Sequence, residues 1–275
     1  MPELPEVETV ARSLRARLVG RTVERLETSG LPLRRPVDAA RIAAATVGAR
    51  VEAIDRIGKY LLLRLSRGDV LLCHLGMSGR LLFVSNVQEV PRPPHTHVVF
   101  SVEGAELRYV DARRFGELVA YKVQELAHSP ELAALGVDPL SDGFTPAWFA
   151  AALDGSRRDV KQFLLDQGRV AGLGNIYACE ALFRAGISPR RRADRLGPRR
   201  AARLHEAIRE VLARSVERRG TTFRDYVDAD GEGGGNQHHL AVYGREGEPC
   251  PTCAAPVRRL VQGARSTFYC PHCQR

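Results

Sequence analysis

The chain has no apolar stretch approaching the roughly 20 residues that a membrane-spanning helix needs, and its N-terminus lacks the apolar core of a signal peptide. These absences argue against a helical membrane protein and a secreted one, so a soluble cytoplasmic protein is expected. No internal repeat is visible, which removes repeat arrays from consideration. Cysteine is sparse, with six in 275 residues, and four of the six crowd the C-terminus. In a reducing compartment such cysteines are metal ligands or buried thiols rather than disulfides. Acidic residues fall short of basic ones, 32 against 41, leaving a formal charge of +9. That excess suits a polyanionic partner. Excess arginine also follows from a GC-rich genome, so charge alone decides nothing.

What is present begins at the first residues, Met1-Pro2-Glu3-Leu4-Pro5-Glu6-Val7-Glu8. A small second residue lets an aminopeptidase remove Met1, leaving a secondary amine at the mature terminus. Terminal amines titrate near neutrality, so a useful fraction is unprotonated and can attack an electrophilic carbon to give a Schiff base. Glu3 and Glu6 place carboxylates within reach of that amine. A plainer reading is that Pro2 and Pro5 start a helix and the acids complement its dipole.

Val7, Val10, Ala11, Leu14 and Leu18 recur at helical spacing, with Gly20 as a stop. From Thr22 to Lys122 short Val/Leu/Tyr-rich runs predict strands over 60–65, 70–75, 80–84, 97–102, 106–110 and 117–121, packed as a sandwich or barrel. Beyond Leu126 the helical period returns at Trp148-Phe149, 160–165, 176–185 and 198–218. Four glycines within 228–239 predict a mobile loop.

Cys250-Pro-Thr-Cys253 and Cys270-Pro-His-Cys273 are two Cys-x-x-Cys knuckles separated by sixteen residues, the spacing of a four-cysteine zinc ribbon. One structural zinc ion is expected, with disulfides as the minor alternative. Arg258, Arg259 and Arg265 on the ribbon suit nucleic acid, although protein-binding ribbons exist. His272 reads as a bystander, and Cys73 and Cys179 as core thiols. Gly172-Leu173-Gly174-Asn175 predicts a glycine turn followed by a helix capped by Asn175, an arrangement that can hold a phosphate.

Together with Lys59-Tyr60-Leu61-Leu62, His74-Leu75-Gly76-Met77-Ser78-Gly79, Asp111-Ala112-Arg113-Arg114-Phe115-Gly116, Ile176-Tyr177 and Val242-Tyr243-Gly244-Arg245, these motifs fall in an order that resembles the bacterial formamidopyrimidine-DNA glycosylase family over essentially the whole chain. The sister enzyme endonuclease VIII usually begins Pro-Glu-Gly-Pro-Glu, so Leu4 favours the former. The resemblance implies an α+β fold: an antiparallel β-sandwich with its N-terminal helix over 1–135, a helix-two-turn-helix domain over 136–227, a flexible lesion-capping loop over 228–239 and a zinc finger over 240–275.

It further implies action on double-stranded DNA containing an oxidised base in the cytoplasm, at the nucleoid, with DNA in a cleft between the lobes; a monomer is expected, since one active cleft needs no second subunit. Pro2 would be the nucleophile, Glu3 the proton shuttle, Lys59 a catalytic cation facing the scissile sugar that either clamps a phosphate or transfers a proton (the plainer alternative being a solvated strand lysine), Arg265 a catalytic cation gripping a phosphate, and Glu6 a supporting acid. Asn175, His74, His95 and Tyr243 match further backbone contacts; Arg157 and Lys161 are assigned the same role on charge and approximate alignment. Met77, Arg113 and Phe115 match the residues that fill the hole left by an extruded base; by pattern alone Met77 and Phe115 read as core. The Gly235-Asn236-Gln237 stretch lacks the aromatic residue commonly found before that glutamine. Two other readings stand beside this one: an enzyme for oxidised pyrimidines, and a zinc-ribbon protein that binds damaged duplex without cutting it.

Overall fold

The computed structural model describes all residues from Met1 to Arg275, arranged as two compact units: 1–133 with 218–237, and 134–217 with 238–275. In the first unit helix α1 (Leu4–Leu18) takes proline in its first turn and buries Leu4, Val7, Val10, Ala11, Leu14 and Leu18. It ends before Gly20, whose φ of +90° suits a residue without Cβ.

Two antiparallel sheets follow. Strands β1 (Val23–Thr28), β5 (Arg80–Val84), β6 (Thr96–Val102) and β7 (Ala105–Val110) form one, in the order β1-β6-β7-β5. The other joins β2 (Val51–Ile57), β3 (Tyr60–Leu65), β4 (Asp69–His74) and β8 (Glu117–Lys122) in chain order. The two-residue period sorts β3 cleanly: Leu61, Leu63 and Leu65 enter the main core with α1, while Leu62 faces a smaller cluster with Val70, Leu72 and Leu126. Each such leucine contributes about 1.5–3 kcal/mol of burial.

Four elements go beyond the sequence reading: β1, β2, helix α2 (Ala39–Thr46) and the single turn α3 (Val123–Leu126). Strands β1 and β2 alternate irregularly because their outer faces are charged. Helix α2 is short and alanine-rich, started by Asp38, whose carboxylate accepts from the Arg41 N–H at 2.9 Å.

The glycine-rich segment is divided between the two units. Its first part belongs to the sandwich unit, where Tyr226 and Ala229 join the main core. The Asp228 carboxylate accepts from the N–H groups of Asp230 and Glu232, both at 3.0 Å, and pairs with Arg219. Among its glycines only Gly231 adopts a left-handed φ, +85°. An acidic side chain thus satisfies the turn's backbone donors.

In the second unit α4 (Pro146–Leu153), α5 (Val160–Leu165), α6 (Asn175–Arg184) and the long α7 (Gly197–Glu217) pack around Phe149, Phe163 and Leu204, with short α3 (Val123–Leu126) belonging to the first unit. The hairpin β9 (Arg258–Gln262) and β10 (Arg265–Tyr269) lies against α6, sharing a core of Cys179, Val242, Val257 and the cysteines Cys250 and Cys270.

Candidate active site

At the start of α1, Pro2 is buried and Glu3 is 3% exposed. The Glu3 N–H donates to Glu6 Oε2 at 2.8 Å, an orphan donor of the helix start satisfied from within the first turn. The other carboxylate oxygen of Glu6 accepts from the Thr221 N–H at 2.7 Å. Gly220, at φ +78°, approaches so closely that a Cβ there would meet Glu6 Oε1 at 2.9 Å.

Lys59 occupies the two-residue turn between β2 and β3, where Ile57 pairs with Tyr60 and Gly58 takes φ +58°. Arg56 braces this turn: its Nη1 donates to the Gly58 carbonyl at 3.0 Å and its Nε to Glu8 on α1 at 3.1 Å. Burial works to raise the Glu8 pKa, but Arg15, Arg56 and Arg12 together hold it below the ordinary carboxylate value. A charged strut thus ties the turn bearing Lys59 to the helix bearing Glu3.

His74 closes β4, with its ring 4.8 Å from that of Tyr60. Burial first, then the cations Lys59 and Arg34, push its pKa down to about 4. Its Nδ1 accepts from the Gly76 N–H at 3.1 Å, which leaves the proton of the neutral ring on Nε2.

Two turns carry the apolar residues that pattern alone assigns to a core. Met77 is 38% exposed between β4 and β5, and Phe115 47% exposed between β7 and β8. Arg113 sits over the Phe115 ring, 4.9 Å from its centroid. The turns abut at backbone level: a Cβ on Gly76 would lie 2.4 Å from the Phe115 carbonyl carbon, and one on Gly116 only 1.5 Å from the Tyr109 hydroxyl. Asp111, wholly buried, organises both, accepting from Ser78 Oγ at 2.6 Å, the Arg113 N–H at 3.2 Å and the Gly116 N–H at 2.8 Å. His95 is exposed at φ +65°, and its carbonyl accepts from the Asp111 N–H at 3.0 Å.

In the second unit the helix cap differs from expectation. Gly174 is the N-cap of α6 and Asn175 the first helical residue, so the Asn175 amide points away from its own helix and donates to the Ser266 carbonyl at 2.9 Å. The preceding glycine turn is stapled by Gln167, which accepts from the Gly172 N–H at 3.0 Å and donates to the Leu173 carbonyl at 2.8 Å. Arg265 is exposed at the start of β10, beside that Ser266. Tyr243 meets Phe268 edge-on at 5.1 Å, its backbone N–H held by Glu180 at 2.8 Å.

Lys161 requires a correction. It is 0% exposed, and its ammonium donates to Thr267 Oγ1 at 2.7 Å and the Ser266 carbonyl at 3.2 Å. In this structure the buried cation braces the ribbon from within, where the sequence reading expects a surface contact to DNA. Arg157 is exposed, in a segment whose neighbour Arg158 accepts, through its carbonyl, the Ala193 N–H at 2.9 Å.

The four ribbon cysteines are free thiols with all Sγ atoms within 4.8 Å of one another. Cys250 and Cys273 are 3.8 Å apart and Cys253 and Cys270 3.5 Å. Tetrahedral zinc with Zn–S of about 2.3 Å requires separations of about 3.8 Å, so the donor set fits one zinc ion and not a pair of disulfides. The Thr252 and Cys273 N–H groups point at Cys250 and Cys270 Sγ, both at 3.4 Å, as thiolate ligands favour. His272 stands outside the cluster, and burial raises the Cys73 thiol as an inert core residue.

Sequence reasoning passed over Asp111, Glu180 and Gln167. Glu180 had a signal, an acid inside the apolar run Tyr177–Leu182; its carboxylate accepts from the N–H groups of Ala241, Val242 and Tyr243 at 2.8–3.0 Å. Asp111 and Gln167 had none, because short polar residues beside turns are common.

A sandwich with an inward-turned Pro-Glu terminus, a helical unit with a glycine turn, and a four-cysteine ribbon define the class of helix-two-turn-helix DNA glycosylases. Family models described as the formamidopyrimidine-DNA glycosylase N-terminal domain, its H2TH domain and the zinc finger found in FPG and IleRS match residues 1–118, 135–227 and 247–275. Formamidopyrimidine-DNA glycosylases of Cereibacter sphaeroides and Geobacillus kaustophilus are 49% and 46% identical, with 100% of each chain covered. The crystal structure of the MutM (Fpg) protein from Thermus thermophilus superimposes with a TM-score of 0.88 at 44% identity, covering 99% of this chain and 98% of that one. Wild-type Lactococcus lactis Fpg in complex with N7-benzyl-Fapy-dG DNA gives 0.91 at 32% identity, with 100% of both chains covered. The chain belongs to the formamidopyrimidine-DNA glycosylase family.

Proposed function

We propose that the chain is a base-excision repair enzyme, a glycosylase and abasic-site lyase that removes oxidised purines, chiefly formamidopyrimidines and 8-oxoguanine opposite cytosine. The observation that carries this reading is the buried Pro2-Glu3 terminus, its backbone fixed by Glu6. Structures of Lactococcus lactis Fpg with Fapy-dG DNA and of MutM with carbocyclic 8-oxo-G DNA support the substrate class.

Met1 is 54% exposed, within reach of an aminopeptidase; its removal frees the Pro2 nitrogen. That amine attacks C1′ of the damaged nucleotide, the C1′–N bond breaks, and the base departs with a proton. Glu3 moves protons at the sugar ring as general acid and base. Protonation of O4′ then breaks the C1′–O4′ bond, opening the sugar and leaving an iminium between C1′ and the Pro2 nitrogen; the iminium acidifies C2′, loss of that proton expels the 3′ phosphate, and a second elimination expels the 5′ phosphate. Lys59 and Arg265 supply positive charge at phosphates flanking the lesion, with Asn175, His74, His95, Tyr243 and Arg157 as further backbone contacts. Met77, Arg113 and Phe115 fill the vacated stack, which their exposure supports. The zinc ion, when bound, supplies folding energy to the ribbon. No helix of the chain is long and apolar enough to cross a membrane, and a cytoplasmic location at the nucleoid completes the reading.

Borohydride trapping on duplex DNA with 8-oxoguanine opposite cytosine, followed by mass spectrometry, tests the proposal. A covalent adduct on an N-terminal Pro2 is expected. Zinc-loaded protein lacking Met1 that gives no adduct on any oxidised base would overturn it.

A further inference from the structure

Asn236 stands where the family commonly has an aromatic residue, and the structure gives its carboxamide a definite task. The side chain is buried, 4% exposed. Its Nδ2 donates to Thr221 Oγ1 at 2.9 Å, and its backbone N–H donates to the Gly220 carbonyl at 3.0 Å. Its Oδ1 accepts from Arg218 Nη1 at 3.5 Å. Neighbouring bonds close the same seam: the Gly235 N–H to the Arg218 carbonyl at 2.9 Å, the Gly234 N–H to Thr222 Oγ1 at 2.8 Å, and the Thr222 N–H to Gln237 Oε1 at 3.1 Å. Gly234 permits this closeness, since a Cβ there would lie 2.1 Å from the Gly220 carbonyl oxygen.

Thr221, the residue that Asn236 grips by its hydroxyl, donates its backbone N–H to Glu6, and the other oxygen of Glu6 holds the Glu3 N–H. The bonds form one unbroken series from Asn236 through Thr221 and Glu6 to Glu3, running through residues that are each under 5% exposed. An unscreened series of this kind transmits a displacement, because each buried donor that loses its partner bears a desolvation cost. An aromatic ring has neither the donor that Thr221 accepts nor the acceptor that Arg218 uses.

We propose that Asn236 is a positioning residue for the chemistry at the N-terminus, fixing Glu3 and its neighbour Pro2 through Thr221 and the Glu6 carboxylate. This rests on the glycosylase reading for its consequence, but the coupling is a property of the free protein. A residue that acts only on the extruded base affects excision and leaves cleavage of a preformed abasic site untouched. Asn236 affects both, since an abasic site still needs Pro2 and Glu3 in place.

The test combines single-turnover cleavage of a preformed abasic-site duplex with amide hydrogen exchange at Glu3 in the free, zinc-loaded enzyme. For Asn236→Ala and Thr221→Val, abasic-site cleavage is expected to slow about tenfold and Glu3 exchange to accelerate by a similar factor. Thr221→Ser, which keeps the hydroxyl, is expected to stay near wild type, and the double variant to be no worse than either single one. The Thr221 pair preserves the test should Asn236→Ala fold poorly. Wild-type exchange at Glu3 in both Asn236→Ala and Thr221→Val overturns the coupling, whatever the activity. A wild-type enzyme inert on lesion and abasic DNA would instead defeat the glycosylase reading, and the exchange data would still decide the coupling.

Discussion

His74 is uncharged at neutral pH, because burial and then the nearby Lys59 and Arg34 hold its pKa to about 4. An unfolded histidine titrates near 6.5, so as pH falls the unfolded chain takes up the proton first. Stability present above pH 6.5 is therefore lost between there and about pH 4, on the order of 3 kcal/mol when protonation is complete. Urea midpoints measured from pH 7.5 to 4.5 are expected to fall, and His74→Gln to flatten that decline; an unchanged slope in the variant would refute the assignment. Asp111 is the second residue whose role is set by its partners. Asp111→Ala strands one hydroxyl and two N–H donors and is expected to cost about 2–4 kcal/mol, with a loss of lesion-DNA affinity. Denaturant unfolding and a binding titration check it. At this scale, residues whose own chemistry is distinctive were legible in the sequence: a proline behind methionine, a carboxylate next to it, paired cysteines. Asp111, Glu180 and Lys161 were not, because what they do depends on donors and acceptors from remote segments, such as Thr267 for Lys161.

Turns matter more than strands in presenting this site. Lys59, Met77, Arg113 and Phe115 all lie in connections, and the strands supply the rigid base from which those connections project. Gly116→Ala is expected to drive a methyl into the Tyr109 hydroxyl and the His74 carbonyl, lowering stability by more than about 3 kcal/mol and exposing the Met77 turn to proteolysis; a variant that melts like wild type would show that the close approach is dispensable. The apolar period found most strands and the long helices, since their buried faces repeat every second or fourth residue. It missed β1, β2 and α2, whose burial is partial.

For the whole molecule, the four-cysteine site concentrates the folding energy of the ribbon in one ion. Chelation is expected to unprotect the amides of β9 and β10 and abolish binding to lesion DNA, while the sandwich amides keep their protection; hydrogen exchange with and without chelator distinguishes this from a protein whose ribbon stands without metal. The division into two units was only partly legible, because contact between distant segments, not composition, returns 218–237 to the sandwich. That return has a consequence for biosynthesis. Thr221, which donates to Glu6, is made 215 residues after it. A chain interrupted between the two carries Pro2 and Glu3 beside a Glu6 that lacks this partner, so the first turn of the protein is finished by a segment made long after it.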